Sequence, residues 1–446
     1  MANTKINWTP SSSGNRNTWT WSGWVKRNGL GATQTLFGAY QNSSYNTKLQ
    51  FNSVDRIHFG DLYNNSPHAE IVTEAKYRDT SGWYNIVVNY DKANSTTNDK
   101  IRMYVNGERI IAMSSGPDRP TQSSTLNSDG IAIQHGALAS TTYFNGVMSH
   151  VHFCDGYSYD ASKFGSVDSV TGEWKINTSP SVNYGNNGFT ILKDGNTITD
   201  QTSGSNNFSL SGGALTNTKD CPSNVMATMN PLSTNDANGN FTNGNTANST
   251  GASAWRTMFS TLAASSGKWY CEMKYVSGSN QMFGIFSLDK KSNVKNIGYV
   301  GDNNSGTQAV GLAKGGDYYI NGNTSTYTGG SNTSWTTGDI IQIALDRDNS
   351  KVYFGKNGTW MGSGNPASGS TGTGAISFSP DSNSFWGFAT SVNASASATN
   401  FGNGFFGTTA ITTNSGNGYA GAEGASKFNY QPPSGYSALS TKGLNT

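Results

Sequence analysis

One hairpin pattern, used twice, constrains this chain more than any other feature. The first copy, Gly82–Ile110, reads GWYNIVVNYDKANSTTNDKIRMYVNGERI. Tyr84, Ile86, Val88 and Tyr90 alternate with Trp83, Asn85, Val87 and Asn89, the period-2 signature of a strand. Asp91 to Asp99 is polar and turn-rich. Ile101, Met103 and Val105 then alternate with Arg102 and Tyr104, and Asn106-Gly107 supplies the positive-φ positions of a tight turn. The second copy, Gly338–Trp360, reads GDIIQIALDRDNSKVYFGKNGTW. Ile341, Ile343 and Leu345 alternate with Gln342, Ala344 and Asp346. Asp348-Asn349-Ser350 turns the chain, Val352 and Phe354 return it, and Asn357-Gly358 closes the next turn. Two β-sandwich domains of related design are expected.

The rest of the chain fits an all-β reading. Trp19, Trp21 and Val25 fall on one face, and short strands are expected at Lys48–Phe51, Arg56–Phe59 and Gly130–Gln134. In Tyr143–Cys154, Val147, Val151 and Phe153 fall on one side. Later, Trp269, Cys271, Met273 and Tyr275 share a face. Helical periodicity is absent and turns are dense, which argues for sandwiches. The chain has 446 residues with 54 Gly and 11 Pro, and its aromatic share is 12%. A disordered chain would lack those aromatics. Charged residues make up only 13%, about half the usual share. The surface is therefore Asn, Ser, Thr and Gly, which suits work outside a cell and dense packing against identical neighbours.

Several classes are disfavoured. The net charge is +2 and no Lys/Arg run occurs, so nucleic acid and anionic membranes are not expected partners. No stretch reaches membrane-spanning length, and MANTKINWTPSSSG has no signal-peptide architecture. Cys154, Cys221 and Cys271 are odd in number and widely spaced, which excludes a disulfide framework or zinc ribbon.

TWSGWVKR, QTLFGAY, GWYNIVVNYD, IRMYVNGERI and FNGVMSHVHFCDG, in that order, resemble a laminin-G-like, concanavalin-A-like jelly roll over about residues 15–165. GKWYCE, a Gly-Ile strand, GDIIQIALDRDNSKVYFGKNG and NFG resemble a SPRY (B30.2-like) domain over roughly 255–406. DCPSNVMATMNPL (Asp220–Leu232) and QPPSGYSALST (Gln431–Thr441) resemble segments of modular virion proteins from marine tailed bacteriophages. The expected organisation is a laminin-G-like sandwich at 1–165, a bridging β segment at 166–232, a polar linker at 233–254, a SPRY-like sandwich at 255–410 and a C-terminal tail at 411–446.

Chemistry is sparse. Retaining glycoside hydrolysis needs two carboxylates about 5 Å apart. None of Glu70, Glu74, Glu108, Glu173, Glu272 and Glu423 has a strand-spaced acidic partner, and no enzyme is expected. His150 and His152 at i, i+2, with Cys154 beyond, have the spacing of zinc ligands on a strand. The preferred reading is that they lie on the outer or inter-domain face of a sheet, because no fourth ligand is evident and His-x-His on a strand is common by chance. Asp346, Asp348 and Asn349, or Asp91 and Asp99, have the residue types of a calcium loop, although Asp and Asn at hairpin turns more often bond their own backbone. No Gly-rich phosphate loop and no Ser-His-Asp set can be picked.

The aromatic surplus says more. Tyr40, Tyr45 and Tyr63 in the first sandwich, and Tyr318, Tyr319 and Tyr327 in the second, lie in polar text as loop-borne glycan contacts would. The competing reading is that they plug sheet edges or pack against a neighbouring subunit. The resemblance implies a bacteriophage virion protein assembled in the host cytoplasm, a tail fibre or tail-associated adhesin that contacts host-surface glycans. Other virion proteins and further copies of the chain are the expected partners. A capsid decoration protein or head fibre is the alternative, favoured by the short N-terminus, and a carbohydrate-active enzyme comes third.

Overall fold

The computed structural model describes residues 3–118, 120–193, 197–234, 239–251, 253–289, 298–302, 308–326, 334–412 and 418–445. They form two compact units, Met1–Asn217 and Thr218–Thr446. Both are β-sandwich folds; the α-helix among the described residues is the single turn Thr441–Leu444.

The first unit opens with β1 (Ile6–Trp8), β2 (Thr18–Arg27), β3 (Gln34–Asn42) and β4 (Tyr45–Phe51). β5 (Ile57–Tyr63), β6 (Ser66–Thr73), β7 (Tyr84–Asp91) and β8 (Ile101–Val105) follow. Then come β9 (Glu108–Arg109), β10 (Met113–Asp118), β11 (Ile133–His135) and β12 (Gly146–Asp155). β13 (Gly165–Val167), β14 (Trp174–Ile176), β15 (Phe189–Ile191) and β16 (Ser209–Leu210) complete it. One sheet runs β10-β6-β5-β4-β3-β11-β1-β16 and the other β15-β12-β2-β7-β8-β9. Trp19, Trp21 and Val25 of β2 and Ile86, Val88 and Tyr90 of β7 meet Phe37, Leu49 and Phe59 of the facing sheet in one core. The alternation read from the sequence is thus the inward face of these strands.

The run Val147, Val151, Phe153 is interrupted. The β12–β2 register shifts between Ser149 and His152, and His150 sits there at φ 47°. A bulge adds one residue and exchanges the faces. Met148 before it and Val151 and Phe153 after it pack on the core, whereas Val147 does not.

Residues 166–217 belong to the first unit by contact. β15 pairs with β12, and β16 pairs with β1. Phe164, with Tyr159, Trp174, Val182 and Tyr184, covers the outward side chains Val87, Tyr104 and Cys154 of the smaller sheet.

The second unit begins with β17 (Met229–Thr234), β18 (Asn240–Thr242), β19 (Ala247–Ser249) and β20 (Arg256–Ser260). β21 (Lys268–Ser287), β22 (Ala309–Ala313), β23 (Asp317–Ile320) and β24 (Asn323–Thr326) follow. Next are β25 (Ile340–Asp346), β26 (Lys351–Lys356), β27 (Thr359–Trp360) and β28 (Ile376–Ser377). β29 (Trp386–Asn400), β30 (Phe405–Phe406), β31 (Thr409–Ala410) and β32 (Ser437–Ala438) close the unit. β21 and β29 pair along nearly their whole length and turn a corner together where Gly278 (φ 113°) meets Ala394 (φ 44°). Before the corner β21 pairs with β25, after it with β22. Trp269, Cys271, Met273 and Tyr275 from one arm and Phe283 and Ile285 from the other share the core with Trp335, Ile343 and Phe354.

The polar stretch 233–254 contributes β18 and β19, and β19 pairs with β29. The described residues 418–445 are equally embedded: β32 pairs in parallel with β21, and Phe428, Tyr436 and Ala438 pack on Tyr270 and Tyr353.

The two hairpins close alike. The Asn106 N–H donates to the Asn85 carbonyl and its side-chain oxygen accepts from the Asn85 N–H (2.9 and 2.8 Å). Asn357 makes the same two bonds with Ile340, each 2.9 Å. At the other end Asn94 bonds to Asp91, and Asn349 bonds through N–H and side-chain amide to Asp346.

Candidate functional site

An open cleft of about 200 Å³ lies on the outer face of the second unit. Its aromatic wall is built from three chain segments. Trp255 precedes β20, Tyr299 comes from the 298–302 segment and Tyr319 lies on β23. The Trp255 and Tyr299 rings are 5.5 Å apart, tilted by 55°; those of Tyr299 and Tyr319 are 5.3 Å apart at 74°, edge to face.

Close backbone packing puts Tyr299 there. Val300 sits in a small cluster with Phe259, Phe286 and Ala389 on the outside of the sheet. Its N–H donates to the Ser391 hydroxyl at 2.8 Å. The segment can lie this near because Gly284 and Gly311 lack side chains: a Cβ on Gly311 would come 2.1 Å from the Val300 carbonyl oxygen. Gly301, at φ 96°, turns the chain against Tyr319, and its carbonyl accepts from the Gly322 N–H. Burial, the Asp302 carboxylate and Tyr319 push the Tyr299 phenol above its usual pKa.

The rest of the cleft is polar. Asn280 is exposed at its edge, and Gln281, Lys314 and Gly315 line it with Met282 and Ala313. Gln281 is fixed by Thr390 (2.7 Å) and Ser395 (3.0 Å). A few polar groups beside aromatic faces are what a saccharide needs: ring C–H groups lie on the aromatics and hydroxyls take the polar contacts. The volume is below the roughly 300–1,000 Å³ of drug-sized sites and suits one pyranose ring.

The six tyrosines singled out from the sequence have different fates. Tyr319 lines the cleft. Tyr318, its neighbour on β23, packs against the core, because adjacent strand residues point to opposite faces. Tyr327 lies outside the described residues. In the first unit Tyr40, Tyr45 and Tyr63 stand at strand ends rather than in loops. Tyr45 and Tyr63 meet edge to face at 5.3 Å, and Tyr63 meets His68 at 6.2 Å. Tyr40 pairs in register with Asn46 and so faces away from Tyr45. Trp255 and Tyr299 escaped sequence reading. Each is a lone aromatic in polar text, and only the packing of Val300 brings them together.

The spacing-based metal candidates are also placed. His150 Nδ1 lies 2.7 Å from the Ser149 hydroxyl, in the bulge. His152 lies between Phe164 and Tyr184, 2.9 Å from the Tyr184 hydroxyl, and burial lowers its pKa to about 3. Cys154 is buried in the same outer layer. No group of three His, Cys, Asp or Glu side chains suited to a metal ion occurs among the described residues. The acidic turn residues are engaged locally: Asp346 with Asn349, Asp348 with the Gly267 N–H (2.7 Å), Asp91 with Asn94, and Asp99 with Arg109.

Glu272 stands apart among the glutamates. It is fully buried and accepts four hydrogen bonds, from Tyr270 (3.1 Å), Asn400 (3.1 Å) and the N–H groups of Asn429 (2.8 Å) and Tyr430 (2.7 Å). Burial outweighs those donors and raises its pKa to about 7. The arrangement fastens the 429–430 backbone to β21.

Residues 2–157 match the family model of the concanavalin A-like lectin/glucanases superfamily. No curated protein matches the chain. Among solved structures, the SPRY domain of human HERC1 is similar at 15% identity and TM-score 0.29, over 38% of this chain and 96% of that one. A heptameric SAP-like pentraxin from Limulus polyphemus is similar at 11% identity and TM-score 0.29, over 48% and 90%. Domains LG4-5 of the mouse laminin alpha1 chain are similar at 10% identity and TM-score 0.28, over 87% and 78%.

Proposed function

We propose that this chain is a glycan-binding protein and that the Trp255–Tyr299–Tyr319 cleft is its saccharide site. The observation that carries the reading is the meeting of three aromatic rings from three separate segments around an open, partly polar cleft. A sandwich core has no need of such a wall on its outer face. The superfamily match of residues 2–157 agrees with a binding role for the first unit as well.

The setting we propose is the exposed surface of a bacteriophage particle, as a tail fibre or tail-associated adhesin that contacts host-surface glycans. The Asn-, Ser-, Thr- and Gly-rich composition with 13% charged residues supports this. So does the resemblance of Asp220–Leu232 and Gln431–Thr441 to segments of phage virion proteins. Further copies of the chain and other virion proteins are its partners in this reading. Immunolabelling of intact particles tests the setting. Label on tail appendages agrees with an adhesin, label over the head moves the protein to capsid decoration, and absence of label removes the particle altogether.

A further inference from the structure

Three residues with amide or ammonium side chains line the cleft: Asn280, Gln281 and Lys314. We propose that Asn280 is the one that reads the bound sugar, its amide taking two neighbouring ring hydroxyls at once and so setting which hydroxyl orientations the site accepts; this rests on the glycan-binding reading above.

Strand alternation puts the Asn280 side chain on the cleft side of the sheet. Gly284, Gly311 and Tyr319 are register partners across β21, β22 and β23, and Met282 pairs with Ala313 and with Ser391. Register partners share a face, as do residues two apart on one strand. This face carries the aromatic wall: Tyr319 lines the cleft, and the Ser391 hydroxyl accepts from the Val300 N–H beside Tyr299. Asn280 stands two residues before Met282 in the same unbroken register with β29 and belongs to that face.

The other two side chains are engaged elsewhere. The Gln281 amide donates to Thr390 (2.7 Å) and Ser397 (3.4 Å) and accepts from Ser395 (3.0 Å). The Lys314 ammonium lies 4.9 Å from the ring centre of Tyr275, a core residue, and donates to the carbonyls of Ser279 (3.3 Å) and Gly278 (3.5 Å). Asn280 is exposed, and its backbone carbonyl accepts from the Ser395 hydroxyl (2.7 Å). Among the described residues its side-chain amide makes no hydrogen bond.

That amide offers an acceptor oxygen beside two N–H donors. One sugar hydroxyl can donate to Oδ1 while its neighbour accepts from Nδ2. The fit depends on the angle between the two hydroxyls, so inverting one ring carbon alters it. The spacing across the sheet agrees. Arg256 pairs with Val392, and Val392 with Gln281, so Trp255 and Asn280 stand two strands apart, about 10 Å. One ring fits between them, with C–H groups on the indole and hydroxyls on the amide. A site that hydrogen-bonds hydroxyls discriminates among ligands more strongly than an apolar wall does.

Titration calorimetry of the full chain with the methyl β-glycosides of glucose, mannose, galactose and allose tests this, because each of the last three differs from the first by one inverted hydroxyl. The native chain is expected to show a spread of at least about tenfold between its best and worst ligands. Asn280→Leu, of similar size at an exposed position, is expected to keep the native melting profile and to shrink the spread to within about threefold, with the best ligand falling to the level of the worst. A side chain with only a structural role would move all four affinities together. A spread retained in Asn280→Leu, or binding without a spread in the native chain, overturns the role of Asn280 and leaves the glycan reading standing. Binding of none of the four, by a chain with its native circular dichroism, overturns both.

Discussion

Val225 and Thr441, 216 positions apart, are joined by two hydrogen bonds: the Val225 N–H donates to the Thr441 hydroxyl at 3.0 Å, and the Thr441 N–H to the Val225 carbonyl at 2.9 Å. The Ala227 N–H continues the ladder to the Leu439 carbonyl. Asp220–Leu232 and Gln431–Thr441 therefore form one structural piece at the start and end of the second unit. Removal of residues 431–446 strips this pairing and exposes Met226, Ala227 and Met229, all fully buried. The truncated protein is expected to lose the cooperative transition of the second unit in calorimetry and keep that of the first.

Buried aromatic side chains of both units are tested by deletion. Trp269 and Phe354 are buried in the second core. Each change to Ala is expected to cost about 3–5 kcal/mol, read as a lower urea midpoint. Trp83, 7% exposed at the edge of the first hairpin, is expected to fall at the low end of that range.

Glu272 gives the second unit a pH dependence of known sign. Its folded pKa of about 7 lies above the unfolded glutamate value of about 4.3. The folded state holds the proton more tightly, so this group's contribution falls as pH rises from about 4.3 to about 7. It is level outside that window. The span corresponds to roughly 3–4 kcal/mol. Glu272→Gln is expected to start from lower stability, since its amide NH₂ meets donors, and to lose the slope between about pH 4.3 and about 7 in denaturant titrations.

Gly301 is required for the cleft. At φ 96° its Cβ would meet the Tyr319 Cβ at 2.7 Å and the Tyr319 carbonyl oxygen at 2.8 Å. Gly301→Ala is expected to displace Tyr319 or the 298–302 segment. Saccharide affinity would then drop about tenfold or more, while the Trp269 core keeps its near-ultraviolet signature.

The elements that pack by simple alternation were legible in the sequence. Trp19 and Trp21, Ile86 and Val88, and Trp269 through Tyr275 all face their cores as their spacing requires, and both Asn-Gly turns close as read. The failures have physical causes. At His150 a bulge exchanged the faces of β12, which no local residue announces, so Val147 left the core. Residues 233–254 are polar because β18 and β19 are half-exposed, and only the pairing of Ala247–Ser249 with β29 reveals them as strands. Tyr319 was legible as an aromatic in polar text, but its partners Trp255 and Tyr299 depend on glycines at 284 and 311 that admit a passing backbone. That is a long-range packing effect without a sequence period.

The most direct test of the glycan-binding account is the affinity of the full chain for a panel of defined oligosaccharides, measured beside Trp255→Ala and Tyr319→Ala. Both residues lie outside the buried core clusters, so both variants are expected to keep the native melting profile. Each is expected to lose at least about tenfold in affinity for whichever saccharide the native chain binds. Undiminished binding by both variants would contradict the account, as would a native chain that binds no member of the panel.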